Sequence, residues 1–311
     1  MATVDQSAPK AFVLGAGLGT RLRPLTDRLP KPLVPLVQRP LITYAFDHLI
    51  GIGVGEFVVN THHLPDAYSE AFPDGSYSDL PITFRHEPVL LETAGGIANV
   101  ADLLDGNAPF VVYNGDILTD IPLQEALDFH RSSGRMVTLV LRSRGDNCNV
   151  SFDSDTGLVR DMRGALARGT PEHQFTGIYI VEPAFLQHLE PGKKESVVPI
   201  FLKLIESSDA IGGFVSDGGT WWDLGEREAY LDAHEALLDG EPSIHPDAEV
   251  HETAEVRGSS VVAADCVVGE GAILEDTVLW VGAKVEPWSR LARCIVRDGV
   301  QVAGEHTCLD A

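Results

Sequence analysis

Apolar positions in the first two-thirds of the chain fall into two alternating patterns. Short unbroken runs at 11–14, 56–60, 82–84, 110–114, 136–141 and 177–181 have the length and β-branched content of buried strands. Between them, apolar residues spaced at about 3.6 predict helices near 41–50, 94–104, 123–131, 199–207 and 226–238. Alternating strands and helices predict an α/β fold, a doubly wound, mostly parallel sheet covered by helices on both faces. Ligands of such sheets sit beyond the carboxyl ends of the strands. The turns after 11–14 and 110–114 would both lie there.

The pattern changes after "DGEPS", residues 239–243. Aliphatic residues then recur every six positions, at Ile244, Val250, Val256, Val262, Val268 and Leu274. A second column of small or modest residues follows four positions behind each: Ala248, Ala254, Ser260, Cys266, Ala272 and Val278. Such a period predicts a short left-handed parallel β-helix, in which each short strand places one aliphatic side chain in a prism-shaped core. The register slips near Trp280 and resumes at Val285 and Leu291. Two domains are therefore expected, residues 1–240 and 241–311, with three to four coils in the second.

Composition narrows the classes. Of 311 residues, 44% are apolar, which excludes disorder and suits a globular protein. The opening "MATVDQSAPK" lacks the apolar core of a signal peptide, and no run is long enough to span a membrane. The four cysteines have no zinc spacing and read as free thiols of a reducing, cytoplasmic compartment. With 46 acidic and 23 basic residues the net charge is −23, which argues against nucleic acid or an anionic membrane as partner.

Against that acidity, one basic cluster stands out. In "FVLGAGLGTRLRPLTDRLPKPLVPL", residues 12–36, a strand breaks into a glycine loop followed by Arg21, Arg23, Arg28 and Lys31, with Arg39 shortly after. Gly15, Gly17 and Gly19 permit positive φ and close approach of backbone to a ligand. Successive N–H groups in such a loop form an anion-binding concavity, here Gly15, Ala16, Gly17, Gly19 and Thr20. A tight turn with a solvated basic face is the plainer alternative. The loop is not a P-loop, since no Gly-Lys-Ser/Thr occurs. Nor is it a full dinucleotide fingerprint, since Thr20 stands where the third glycine belongs.

A third option accounts for more residues. Gly17, Gly19, Thr20, Arg21, Leu22 and Pro24, followed by Pro30, Lys31 and Pro32, resemble the G-x-G-T-R-L-x-P…P-K-P signature of the sugar-1-phosphate nucleotidylyltransferases. The resemblance continues in that family's order over residues 11–240. "LLETAGGIANV" (90–100) is similar to its base-wrapping loop, "VYNGDIL" (112–118) to its first Asp motif, "FTGIYIV" (175–181) to its sugar-binding strand, and "WWDLGEREAYLDAHEALL" (221–238) to its second Asp motif. The "LETAGG" wording looks closest to N-acetylmuramate-1-phosphate uridylyltransferase, whereas the hexapeptide tail looks like that of mannose-1-phosphate guanylyltransferases. Both point to the sugar metabolism of a cell envelope. Two departures concern the sugar pocket. The family's Glu-Lys-Pro is replaced by "DMRGALARGTPEHQ", leaving Arg163 or Arg168 to substitute, and its Tyr-Gly-Val by Cys148-Asn149-Val150.

The resemblance implies a Rossmann-like nucleotidyltransferase sheet and attack of a sugar 1-phosphate on the α-phosphorus of a nucleoside triphosphate, UTP or GTP. It also implies Mg²⁺ held by Asp116 and Asp223. The nucleophile is already anionic, so the site needs alignment and charge neutralisation rather than a base. Arg21, whose guanidinium fork suits phosphate oxygens, and Lys31 would supply the cations. Glu92, Thr93, Ala94, Gly95 and Gly96 are expected to form a loop reading the base. Asn114, Asn149, Thr176 and Gly177 are expected around the sugar phosphate. His62 and His63 are adjacent on an extended chain, point to opposite faces, and read as structural or rim residues. His245 and His251 raise the alternative of a hexapeptide acyltransferase, but the tail is short for one, and an assembly or capping domain fits it better. The tail is thus a candidate surface for a homo-oligomer of small-molecule-binding subunits. A non-catalytic nucleotide-sugar sensor using the same pocket is the competing class; two metal carboxylates favour the enzyme.

Overall fold

The computed structural model describes residues 8–311; the first seven residues of the N-terminal reading lie outside them. Packing divides the chain into two compact units: residues up to Leu18 with Ile42–Trp221, and Gly19–Leu41 with Trp222–Ala311. The division falls inside the glycine loop and returns beside Asp223.

The first unit is built on a ten-stranded sheet. Its spatial order is Val150–Asp153, Leu158–Met162, Ile211–Val215, Val137–Arg142, Gln174–Val181, Phe110–Asn114, Lys10–Leu14, Glu56–Thr61, Leu80–His86 and Ser76–Tyr77. Lys10–Leu14 lies between two parallel neighbours, Glu56–Thr61 and Phe110–Asn114. The sheet is mixed rather than uniformly parallel. Gln174–Val181 runs antiparallel to both its neighbours, and the edge strands Val150–Asp153 and Leu158–Met162 form a hairpin. That hairpin and Ile211–Val215 carry too few consecutive apolar residues to announce themselves as strands, which is why the apolar pattern passes over them. Helices Glu92–Asn99 and Val197–Ser207 pack on one face, burying Ile97, Val100, Ile200 and Phe201 against Phe12, Val112 and Tyr179.

The tail of the second unit forms the β-helix. Three parallel four-stranded sheets, with strands of two or three residues, enclose a triangular core. The six-residue column does not make a single stack. Because six residues turn the chain by one face, Ile244 pairs with Val262, Val250 with Val268, and Val256 with Leu274. The core is Val262, Val268, Leu274, Leu279, Val285, Leu291 and Val296, with Cys266, Ala272 and Cys294 between. Val250 and Val256, on the first coil, are only half buried.

The slip of register has a local cause. Val262 follows Ile244 at 18 residues, but Leu279 and Val296 follow at 17. The missing residue is at one corner. Gly258-Ser259-Ser260 turns the first coil, whereas Asp276-Thr277 and Arg293-Cys294 turn the next two, with Gly258, Asp276 and Arg293 all left-handed. Asp276 Oδ1 accepts the Ser259 N–H at 2.9 Å, tying the longer corner to the shorter one.

Candidate active site

In the first unit, the turns at the carboxyl ends of the parallel strands come together as the sequence leads one to expect. Gly15 follows the strand Lys10–Leu14, and Gly115 and Asp116 follow Phe110–Asn114. The Gly115 N–H donates to Leu14 O at 3.0 Å, and a Cβ on Gly115 would lie 2.7 Å from that oxygen. Glycine there brings the Asp116 turn against the glycine loop. Asp116 is also near enough to Tyr68 to oppose ionisation of its phenol, whose pKa burial already raises.

Both backbone polar groups of Gly15 bond within the protein. Its N–H donates to Asn60 Oδ1 at 2.8 Å, and its carbonyl accepts from Tyr68 Oη at 2.8 Å. Asn60 Nδ2 in turn donates to Glu87 Oε1 at 2.7 Å, and Glu87 Oε2 accepts the Leu91 N–H at 3.0 Å. His62 Nδ1 donates to the Glu87 carbonyl at 2.7 Å, so His62 is structural. Glu87 is wholly buried and both its oxygens are used. This Asn60–Glu87 link ties the glycine loop to residues 91–96. No motif marks it, and nothing in "FRHEPVLL", residues 84–91, sets Glu87 apart from its charged neighbours. Gly17, Leu18 and Thr20 of the loop are exposed, and Gly19 is left-handed at φ 60°.

The stretch expected as a base-reading loop is instead the start of a helix, Glu92–Asn99. The N–H groups of Ala94 and Gly95 donate to Glu195 O at 2.9 and 3.2 Å, and Thr93 Oγ1 accepts from the Val197 N–H. A Cβ on Gly95 would lie 2.3 Å from Lys193 O, and one on Gly96 3.0 Å from Asn60 Nδ2. Both glycines are therefore packing clearances. Glu92 is exposed and left-handed at φ 61°, a conformation that costs a non-glycine residue free energy.

Around the expected sugar site, Asn114 and Gly177 do meet. A Cβ on Gly177 would lie 2.5 Å from Asn114 Nδ2. Thr176 spends its hydroxyl on Val140 O at 2.8 Å, while its carbonyl accepts the Trp221 indole N–H at 2.9 Å. Asn149 keeps a buried Oδ1 without a hydrogen-bond partner. Arg168 Nη1 donates to Ile205 O at 3.3 Å, and its N–H is held by buried Asp161, which also anchors Leu166. Arg163 is exposed at φ 59°.

In the second unit, the charged residues of the signature gather on Asp223. Lys31 opens a short 3-10 turn, Lys31–Leu33, between two prolines. Its side chain is only 6% exposed, and Nζ lies 3.4 Å from Asp223 Oδ1. Arg21 Nη2 lies 3.5 Å from Asp223 Oδ2, and Nη1 3.6 Å from Glu226 Oε1. One carboxylate thus holds a buried ammonium and an exposed guanidinium side by side without their repelling each other apart. A Cβ on Gly225 would lie 2.6 Å from Arg21 Nη2, so glycine at 225 leaves room for the guanidinium. The motif singles out neither Gly225 nor Glu226.

His245 and His251 are turn-formers. Each Nδ1 accepts a backbone N–H two residues on, from Asp247 and Thr253. All four cysteines are free, and burial raises the thiol pKa of Cys266 and Cys294. Among the described residues, no group of three or more His, Cys, Asp or Glu is arranged as a metal cage, and no helix is long and apolar enough to cross a membrane.

Residues 10–240 match the nucleotidyl transferase family, and the chain belongs to it; its activity class is formation of an NDP-sugar from a nucleoside triphosphate and a sugar 1-phosphate. The chain is 34% identical over 300 residues to the mannose-1-phosphate guanylyltransferase of Mycobacterium tuberculosis, covering 94% of this chain and 80% of that protein. It is 30% identical over 309 residues to mannose-1-phosphate guanylyltransferase 1 of Arabidopsis thaliana, covering 97% and 84%. A UTP–glucose-1-phosphate uridylyltransferase of Synechocystis is 23% identical over 358 residues, covering 97% and 92%. The likeness to an N-acetylmuramate-1-phosphate uridylyltransferase finds no support among these relatives.

Proposed function

We propose that the chain transfers GMP from GTP to mannose 1-phosphate, giving GDP-mannose and pyrophosphate. The observation that carries this reading is similarity to guanylyltransferases along nearly the whole chain, β-helix included. A phosphate oxygen of the sugar 1-phosphate attacks the α-phosphorus. The bond to the β-phosphate breaks, and pyrophosphate leaves with the electron pair. Arg21, exposed beside the glycine loop, grips the β- and γ-phosphates with its fork, and Lys31 supplies the second cation. Gly17 and Thr20 offer amides to the same phosphates. Asn114, Asn149 and Gly177 line the sugar phosphate.

Mg²⁺ suits Asp116 and Asp223, which are hard oxygen donors at strand ends. It takes one or two carboxylates and leaves its other positions to water and phosphate. The chemistry Mg²⁺ would supply there is neutralisation of charge on the triphosphate. In this reading the protein is cytoplasmic, with domains at 1–240 and 241–311 and the tail as the surface of a homo-oligomer.

The test is kcat/KM for GTP, UTP, dTTP and ATP with mannose 1-phosphate, glucose 1-phosphate and N-acetylmuramate 1-phosphate, followed by pyrophosphate release. GTP with mannose 1-phosphate should lead by at least tenfold, about 1.4 kcal/mol of transition-state discrimination. A lead by UTP with glucose 1-phosphate, the reaction in the name of the Synechocystis relative, would replace the reading. Tight binding of nucleotide without pyrophosphate release would instead favour the sensor.

A further inference from the structure

The segment that carries Lys31 ends in an unfavourable turn. After the 3-10 turn come two short antiparallel strands, Pro35–Leu36 and Arg39–Pro40, joined by Val37 and Gln38. Both joining residues are left-handed, with φ of 45° and 67°. For a β-branched residue such as Val37 this is a true outlier, kept only where surrounding structure enforces it.

The enforcing groups are on the helix Arg227–Leu238 and on the β-helix. His234 Nε2 accepts the Val37 N–H at 3.2 Å, so the ring proton is on Nδ1, which donates to Tyr230 O at 2.9 Å. The Tyr230 hydroxyl donates to Pro35 O and accepts the Trp280 indole N–H at 3.1 Å. Gln38 Nε2 donates to Ser243 Oγ at 2.7 Å. Tyr230, His234 and Trp280 are all buried, so none of their bonds competes with water.

The same tail grips both neighbours of Asp223 and Arg21. Arg297 Nη1 donates to Pro24 O at 3.2 Å within the signature. Arg227, four residues after Asp223, pairs with Asp310 at 2.7 Å and donates to Arg293 O. Arg293 in turn pairs with Glu228 and Asp232 at 2.7 and 3.3 Å.

We propose that the β-helix is a brace for the Lys31 segment, acting through Trp280–Tyr230–Pro35 and His234–Val37. His234, Tyr230 and Trp280 are then positioning residues of the reaction, although they touch neither substrate nor metal. The tail's contribution to turnover lies in the aim of Lys31, whatever it adds to assembly. This inference rests on the nucleotidylyl-transfer reading for its kinetic consequence and on geometry alone for its structural one.

The experiment uses the full chain with two readouts. Hydrogen exchange at residues 31–37 reports the brace without reference to activity. Trp280→Phe and His234→Leu should speed exchange there at least tenfold while leaving the sheet strand Phe110–Asn114 protected; His234→Gln, which keeps an acceptor, should restore most of the protection. Steady-state kinetics then test the aim. His234→Leu should lower kcat/KM at least tenfold in the parent but less than twofold in a Lys31→Ala background, because Lys31 is the group displaced. Unchanged exchange at 31–37 would overturn the brace. Equal kinetic losses in both backgrounds would reduce it to a folding contact. Absence of any nucleotidylyl transfer in the parent would fail the functional reading while the exchange result still judged the brace.

Discussion

Acid should unfold this protein earlier than its many carboxylates would suggest, and His234 is one place where the effect can be isolated. The ring is buried between the helix Arg227–Leu238 and the Val37 turn. It lines a cavity of about 170 Å³ whose wall also carries Arg39 and His245. Burial is the main cause that lowers its pKa from 6.5 to about 4, opposed weakly by the bond to Tyr230 O. Nε2 must stay unprotonated to accept from Val37. The unfolded chain therefore takes up a proton near pH 6.5, while the folded one resists until about pH 4. Stability present above 6.5 is lost as pH falls through that window. At 1.36 kcal/mol per unit, the full loss is about 3 kcal/mol below pH 4, and about 2 kcal/mol is already gone at pH 5. His130 is lowered to about 4 by burial and by Arg131, and adds a similar amount. Its ring lies 3.3 Å from Glu182 Oε1, yet burial raises the Glu182 pKa as well, so that contact does not hold a full ion pair. Burial lowers the His48 pKa as well, and urea unfolding at pH 7 and pH 5 measures all three together. The parent should lose at least about 4 kcal/mol over that interval, and His234→Gln, which cannot titrate, about 2 kcal/mol less than the parent. Equal pH slopes for parent and variant would refute the assignment of the loss to His234.

Two further outcomes concern the site directly. Asp116→Asn and Asp223→Asn should each lower kcat at least a hundredfold, about 2.7 kcal/mol, and EDTA should silence the parent; full turnover in EDTA would remove the metal from the mechanism. Gly225→Ala would put a Cβ 2.6 Å from Arg21 Nη2 and push the guanidinium aside, so it should mimic Arg21→Lys. Both should lower kcat/KM about tenfold, or about 1.4 kcal/mol, with little change in Tm, and parental kinetics for Gly225→Ala would place Arg21's working position elsewhere.

How far these features can be read from the chain depends on what kind of force fixes each of them. Lys10–Leu14 and Phe110–Asn114 are buried on both faces, so unbroken apolar runs mark them. The β-helix is legible because one aliphatic residue per face repeats for coil after coil. Its slip is visible too, near Trp280, but not its cause, because a corner one residue shorter at Asp276 changes spacing without changing composition. The edge hairpin Val150–Asp153 and Leu158–Met162 escapes the pattern for the opposite reason: it mixes buried with half-buried residues over only four or five positions. Helix Asp66–Ala71 escapes it as well, since six residues give the 3.6 period less than two turns in which to show itself.

The glycines teach a more specific lesson. In an anion-binding motif each glycine invites the same explanation, close approach of backbone to ligand, and for Gly17, where a Cβ would meet nothing within 4 Å, that explanation stays open, whereas a Cβ on Gly19 would lie 2.9 Å from Thr26 Cγ2. For Gly15, Gly95, Gly96, Gly115 and Gly225, the space a Cβ would need is already filled by Asn60, Lys193, Glu87, Leu14 and Arg21 respectively. A missing Cβ is the same signal whether the crowding atom belongs to a ligand or to the protein, so spacing cannot separate the two. Long-range partners can. Asn60 and Glu87 lie 45 and 72 residues from Gly15, and His234 lies 203 residues from Lys31. Asn60 and Glu87 stand outside any local motif, and His234 lies in the second Asp motif without belonging to its charged residues; the first two tie down the glycine loop and the third the turn that follows Lys31. What a motif shows is the surface offered to the substrate. The groups that stop that surface from relaxing are buried, single and dispersed, and they become visible only when the chain is folded.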